Sequence, residues 1–253
     1  MFAKLNHVHM YFEEQGQGKP VILLHGLALD GSIWSDVVNL FDDQAHFVVP
    51  DLRGHGRTET GNSNGSLEQF ADDLQALADH LELEKFTLVG HSMGGYVSLK
   101  FAEKYPERLE GLVMVTSNAR SDTPEKREAR FAEAELVIGS GMTAIAETMV
   151  QKLTTLTEFR QKVVPIINNT DPKGFFNVQH AIASRKNQLN LLGNLSIPVL
   201  AIAGSEDQLM KSEVAYEMAR ASKLGSVVVL PGIGHLPMLE EPLALGSLIV
   251  SVL

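Results

Sequence analysis

Phe86-Thr87-Leu88-Val89-Gly90-His91-Ser92-Met93-Gly94-Gly95 is the stretch that decides how this chain reads. Residues 86–89 are strand-like. A turn follows, and then a helical pattern over 93–104 that stops before Pro106. The turn fits G-x-S-x-G, in which a serine is lifted clear of a sheet so that its hydroxyl can reach a carbonyl carbon. So sharp a bend puts the serine in a sparsely populated backbone conformation. Gly90 and Gly94 flank it because a Cβ at either would collide with neighbouring strand and helix backbones. The helix starting near Met93 points its first amides toward the place where negative charge develops on a reacting oxygen.

Outward from this stretch, short apolar runs alternate with helical patterns. The runs at 21–24, 46–49, 86–89, 109–115, 198–203 and 226–230 read as strands. Those at 33–41, 66–82, 93–104, 212–221 and 239–253 read as helices. This alternation predicts an α/β fold with a mostly parallel central sheet flanked by helices. Residues 5–12 read as one or two opening strands. Leu67, Phe70, Leu74, Leu77 and Leu81 recur at intervals of three and four, which marks one helix face. Ser66 with Gln69 resembles a capping box at its start. Between 121 and 188 the alternation stops. The segment is helical and charged and holds no buried strand, so it reads as an inserted helical cap. The expected organisation is a core of 1–120 and 189–253 with a cap of 121–188.

Two partners for Ser92 fall where its chemistry needs them. Ile197-Pro198-Val199-Leu200-Ala201-Ile202-Ala203-Gly204-Ser205-Glu206-Asp207 is a strand entering an acidic loop. Asp207 is the assigned acid; Glu206 is the chemically able alternative. The strand at 109–115 offers no carboxylate before Asp122. Pro231-Gly232-Ile233-Gly234-His235 puts an imidazole on a glycine-rich loop with room to reach the serine. The catalytic set is therefore Ser92, Asp207 and His235. The backbone amides of Leu27 and Met93 are the expected oxyanion donors.

The other histidines have plainer readings. His25 and His55 lie in turns after strands as hydrogen-bonding organisers, and His25 is also placed at the substrate pocket. His91 points away from the nucleophile. His7 and His9 share a strand face, but two ligands without a third make a weak metal site. No H-E-x-x-H occurs, and no metal or other cofactor is expected. In the cap, Leu136, Val137, Ile138, Met142, Ile145 and Met149 cluster at roughly helical spacing. Met142 and Met149 are assigned to the pocket because methionine adapts its shape.

Composition sets the outer bounds. Of 253 residues 44% are apolar, enough for a large core, and the formal net charge is −10. That charge repels phosphate backbones and anionic lipid, so neither a nucleic-acid nor a membrane partner is expected. There is no cysteine, which excludes disulfides and thiolate chemistry. No signal-peptide pattern and no membrane-length apolar stretch is visible, and the expected location is cytoplasmic. Oligomeric state is not readable.

His25-Gly26, Asp51-Leu52-Arg53-Gly54-His55-Gly56-Arg57, Gly90-His91-Ser92-Met93-Gly94-Gly95, Gly204-Ser205-Glu206-Asp207 and Gly234-His235 with Glu240-Glu241-Pro242 resemble the α/β-hydrolase superfamily. The chain is most similar to its 3-oxoadipate enol-lactonase-like and small carboxylesterase branch. The resemblance implies an α/β-hydrolase fold with a helical cap. It also implies a Ser–His–Asp triad on Ser92, His235 and Asp207, and a small ester or lactone as substrate. Carbon–carbon bond hydrolases often carry asparagine before the serine, where His91 stands here. Epoxide hydrolases and haloalkane dehalogenases use aspartate where Ser92 stands. Haloperoxidases and perhydrolases share the triad, and a non-catalytic ligand-binding homologue would keep the fold alone.

Overall fold

The computed structural model describes residues 1–62 and 65–253. Eight strands form one sheet: β1 (Phe2–Leu5), β2 (Val8–Gly16), β3 (Lys19–Leu24), β4 (Ala45–Pro50), β5 (Phe86–His91), β6 (Leu109–Val115), β7 (Val199–Gly204) and β8 (Gly225–Leu230). Their order is β1-β2-β4-β3-β5-β6-β7-β8. The pairs β1–β2 and β2–β4 are antiparallel, and every later pair is parallel. The described helices are α1 (Ser35–Phe41), α2 (Leu67–His80), α3 (Met93–Lys104), α4 (Pro124–Ser140), α5 (Thr143–Leu153), α6 (Thr157–Asn168), α7 (Pro172–Ala183), α8 (Leu189–Leu192), α9 (Ser212–Ala221), α10 (Pro237–Glu240) and α11 (Pro242–Val250).

The apolar runs are continuous because both faces of the sheet are covered. In β3, Ile22 and Leu24 join the cluster with α2, α3 and α9, while Val21 and Leu23 join the one with α1 and α11. All four are fully buried. The antiparallel hairpin at the edge is made by Asn6 and His7, both at positive φ (44° and 67°). His7 therefore sits in the turn and does not share a strand face with His9. The helix expected over 239–253 is broken at Glu241 (φ −150°, ψ 63°), and Pro242 starts α11. Proline is suited to a first helical position, where it has no hydrogen bond to lose. Ser66 caps α2 by accepting from the Gln69 amide at 3.1 Å.

Helices α4 to α8 lie between β6 and β7, with α4 packed on α7 and α5 on α6. Gly174 of α7 meets the main-chain turn at Gly54 so closely that a Cβ there would lie 2.7 Å from the Gly54 Cα. Thr60 donates to Asp171 beside the same contact.

The sheet order reverses around β3: β4 lies on one side and β5 on the other. At such a switch point the carboxyl ends of neighbouring strands open a crevice. The loops leaving β3 and β5 carry Leu27 and Ser92.

Behind this edge, the loop after β4 is tied to α2 by a buried ion pair. Arg53 donates from Nε and Nη2 to the two Asp73 oxygens at 2.7 and 2.8 Å, and from Nη2 to the Asn6 carbonyl at 3.2 Å. Both side chains are almost fully buried. Removing one partner strands the other charge, so Asp73→Asn is expected to lower unfolding free energy by about 3–5 kcal/mol. Urea denaturation measures this, and a loss under ~1 kcal/mol would mean the pair contributes no more than a surface bridge.

Candidate active site

β5 ends at His91, and the chain turns through Ser92 at φ 51°, ψ −112° before α3 begins. Within the turn the Gly95 amide donates to the Ser92 carbonyl at 3.0 Å, and two further bonds tie it to β6 and the residues after it. The Ser92 amide donates to the Val115 carbonyl at 3.0 Å, and Ser117 Oγ donates to the Ser92 carbonyl at 2.7 Å. A Cβ on Gly94 would lie 2.7 Å from the Leu24 carbonyl oxygen, so α3 can cross the end of β3 only with glycine there.

Asp207 follows β7, and its Oδ2 accepts from His235 Nδ1 at 2.7 Å. Its Oδ1 accepts from the amides of Leu209 and Met210 at 2.8 and 3.0 Å. Both carboxylate oxygens are thus committed. The carboxylate as acceptor puts the imidazole proton on Nδ1 and leaves Nε2 bare. Nε2 is buried and has no partner among the described residues. Glu206 is exposed, and its Oε1 accepts from Ser205 Oγ.

The backbone of His235 is fixed on both sides. Its carbonyl accepts from His91 Nε2 at 2.9 Å and from Thr116 Oγ1 at 3.1 Å. Glu240 accepts from the Gly234 amide at 2.8 Å and the Leu236 amide at 3.3 Å. His91 Nε2 is thus committed to the main chain of His235. The sequence reading quoted Glu240 within a motif and gave it no role.

Ser92 and His235 line one cavity of about 370 Å³. Leu27, His91 and Met93 line it from the sheet's edge; Lys126, Arg130, Glu133, Met149 and Lys152 line it from the helices. The amides of Leu27 and Met93 have no acceptor among the described residues. Met149, on α5, lines this cavity. Two other pocket assignments are corrected. Met142 is 3% exposed, packs in the core at the start of α5, and does not line the cavity. His25 is fully buried behind the wall, with Nδ1 donating to the Gly26 carbonyl at 2.8 Å and Nε2 accepting from the Leu52 amide at 2.9 Å. It organises the loop that carries Leu27.

The sequence reading missed Lys126, Arg130 and Glu133. A signal was present: with Ala129 they fall at i, i+3, i+4 and i+7 and so share one face of α4. Gln208, Leu209 and Met210, which follow Asp207, also line the cavity.

A family model described as the alpha/beta hydrolase fold matches residues 19–242. A thermophilic esterase from Thermogutta terrifontis, solved with malate bound, is 36% identical. It superposes with a TM-score of 0.93 over 96% of this chain and 92% of its own. Two proteins of Acinetobacter baylyi are each 26% identical over 94% of this chain and 90% of their own length. One is 3-oxoadipate enol-lactonase 2; the other is (E)-2-((N-methylformamido)methylene)succinate hydrolase. Among the described residues no helix is long and apolar enough to cross a membrane.

Two buried histidines make the fold sensitive to acid. Burial lowers His25 from an ordinary 6.5 to about 4 and His55 to about 3, the neighbouring His25 adding to the shift of His55. Both stay neutral in the fold while the unfolded chain takes up protons below about 6.5. Stability is therefore full above that value and is lost as pH falls toward 4. Urea unfolding at stepped pH should show this slope, and His55→Phe should make it shallower. An unchanged slope in the variant would assign the acid sensitivity to other groups.

Proposed function

Because the chain belongs to the alpha/beta hydrolase fold family, we propose that it is a serine hydrolase of small carboxylic esters or lactones. Ser92 is the nucleophile, His235 the general base and Asp207 the carboxylate that orients it. The observation that carries the reading is the buried, unpartnered Nε2 of His235, a residue that lines the same cavity as Ser92, while Asp207 holds the opposite ring nitrogen. The esterase and enol-lactonase relatives support the reaction class.

Ser92 Oγ attacks the substrate carbonyl carbon as its proton passes to His235 Nε2. The carbonyl electron pair moves to oxygen, and the amides of Leu27 and Met93 hold that oxyanion. The leaving alkoxide takes the proton from Nε2, and an acyl-enzyme remains. Water then attacks it, gives a proton to His235, and expels Ser92, which is reprotonated as the acid is released. Asp207 stabilises the imidazolium in both halves. We read residues 121–188 as the cap that closes the cavity over this centre.

Ser92→Ala is expected to lower kcat by at least ~10³ while leaving the unfolding midpoint near that of the parent, since the lost group is chemical. A fluorophosphonate probe should label Ser92 in the parent chain and nothing in the variant. Asp207→Asn should be severely slow and Glu206→Gln nearly unaffected; the reverse ranking would move the acid to Glu206. Retained hydrolysis in Ser92→Ala would remove the nucleophile assignment, and an unlabelled Ser92 would favour a non-catalytic binding protein.

A further inference from the structure

The cap side of the cavity carries a charge pattern opposite to that of the whole molecule. The chain is acidic, with 31 Asp and Glu against 21 Lys and Arg. Of the four charged side chains on the helical wall, three are cations: Lys126, Arg130 and Lys152. The fourth, Glu133, is engaged by Gln179 Nε2 at 2.9 Å and by Lys152 at 3.7 Å.

Arg130 is held in place. Its Nε donates to Asp122 Oδ2 at 2.5 Å and its Nη1 to Gln179 Oε1 at 2.9 Å. Its Nη2 has no acceptor among the described residues. The buried Asp122 is shared with Arg185, whose Nη2 donates to Oδ1 at 2.8 Å. Burial works to raise the Asp122 carboxyl, but the hydrogen bonds and charges of Arg185 and Arg130 outweigh it and keep the group below its ordinary value. Asp122 is therefore an anion that anchors two guanidiniums and neutralises one. Lys126, one turn before Arg130, makes no ion pair among the described residues. A guanidinium fixed by two bonds has already lost the freedom that an exposed arginine gives up on binding.

We propose that Arg130 and Lys126 form a carboxylate subsite, so that the substrate of Ser92 is a small ester or lactone bearing a free carboxylate. This rests on the ester-or-lactone reading above and names its substrate class. The cavity of about 370 Å³ is near the small end of ligand sites, which fits a short acid better than a long acyl chain. Arg130 supplies a directional donor and Lys126 a mobile charge, while Glu133, on the same wall, is engaged by Gln179 and Lys152.

The test compares monoethyl succinate with ethyl butyrate, which match in length and differ in charge. The parent enzyme should prefer the anionic ester in kcat/KM, and added sodium chloride should erode the preference. Charge-assisted bonds of this kind are worth roughly tenfold or more in binding. Accordingly, the anionic-to-neutral ratio should fall about tenfold or more in Arg130→Gln and several-fold in Lys126→Ala. The second variant lies on an exposed side chain without an ion pair, so it still reports if the first fails to fold. A parent with no anionic preference, or a ratio that neither variant moves, overturns the subsite. Binding of succinate to the Ser92→Ala protein by calorimetry separates the subsite from the chemistry. Saturable binding that is weakened by Arg130→Gln supports the subsite even if no ester is cleaved and Ser92 is not labelled, in which case only the hydrolase reading fails. Absence of succinate binding overturns the subsite whatever the esters do.

Discussion

The close passage of α3 over the ends of β3 and β5 is the constraint on which the site's geometry depends. The chain must leave β5, reverse, and enter a helix within the space of Ser92. It does so with that residue at φ 51° and with Gly94 against the Leu24 carbonyl. Such a conformation costs about 1–3 kcal/mol and persists only where its surroundings over-determine it. Here the surroundings are specific. The Ser92 amide is fixed to β6 and its carbonyl to Ser117, and both sheet faces beneath it are buried. With the turn fixed, the hydroxyl, the start of α3 and the loop after β3 stand at one edge of the sheet, where the strand order reverses.

The histidine is placed by its main chain as much as by its ring. His235 is 143 residues beyond Ser92 in sequence, yet its carbonyl is bound by His91, the residue before the serine, and by Thr116 at the end of β6. Glu240 secures the amides on either side. Asp207 then settles the side-chain torsions that orient the imidazole. The turn that strains Ser92 also supplies an anchor for its partner, so the two groups are located relative to a shared strand end rather than to two independent loops.

This division explains what the sequence could and could not disclose. The core strands are legible because parallel strands covered on both faces are continuous apolar runs, and G-x-S-x-G, Gly204 to Asp207 and Gly234-His235 are local patterns at strand ends. The hairpin turn at Asn6-His7 was less legible, since it carries no glycine and its signal is the weaker preference of Asn and His for positive φ. The break at Glu241 did carry a signal, because the residue before Pro242 is disfavoured in the α region, but the helical pattern was carried through it. The helical wall of the cavity was missed for a more general reason. Apolar periodicity identifies the face a helix turns to its neighbours, as with Met142, Ile145 and Val137. A charged cavity wall leaves its trace on the polar face, where Lys126, Arg130 and Glu133 stand. Met149 lies where the cavity and the core meet along α5.

Net charge and pocket charge answer different questions. The formal charge of −10 is spread over the surface, and at physiological ionic strength its influence fades over about 8 Å of solvent. It opposes broad contact with a polyanion or an anionic membrane, where many charges meet at once. A single small anion entering a concave, partly desolvated site meets a different field, dominated by the few charges on the walls, because screening is weak there and the dielectric is lower. Asp122 shows how the chain manages this. Its carboxylate is spent inward on Arg130 and Arg185, which keeps two guanidiniums stable beside an apolar core without presenting a negative charge to the cavity. An acidic protein can therefore repel polyanions over its surface and still keep a cationic wall in a cavity, and the composition that opposes the first class of partner carries no argument against a single small anion.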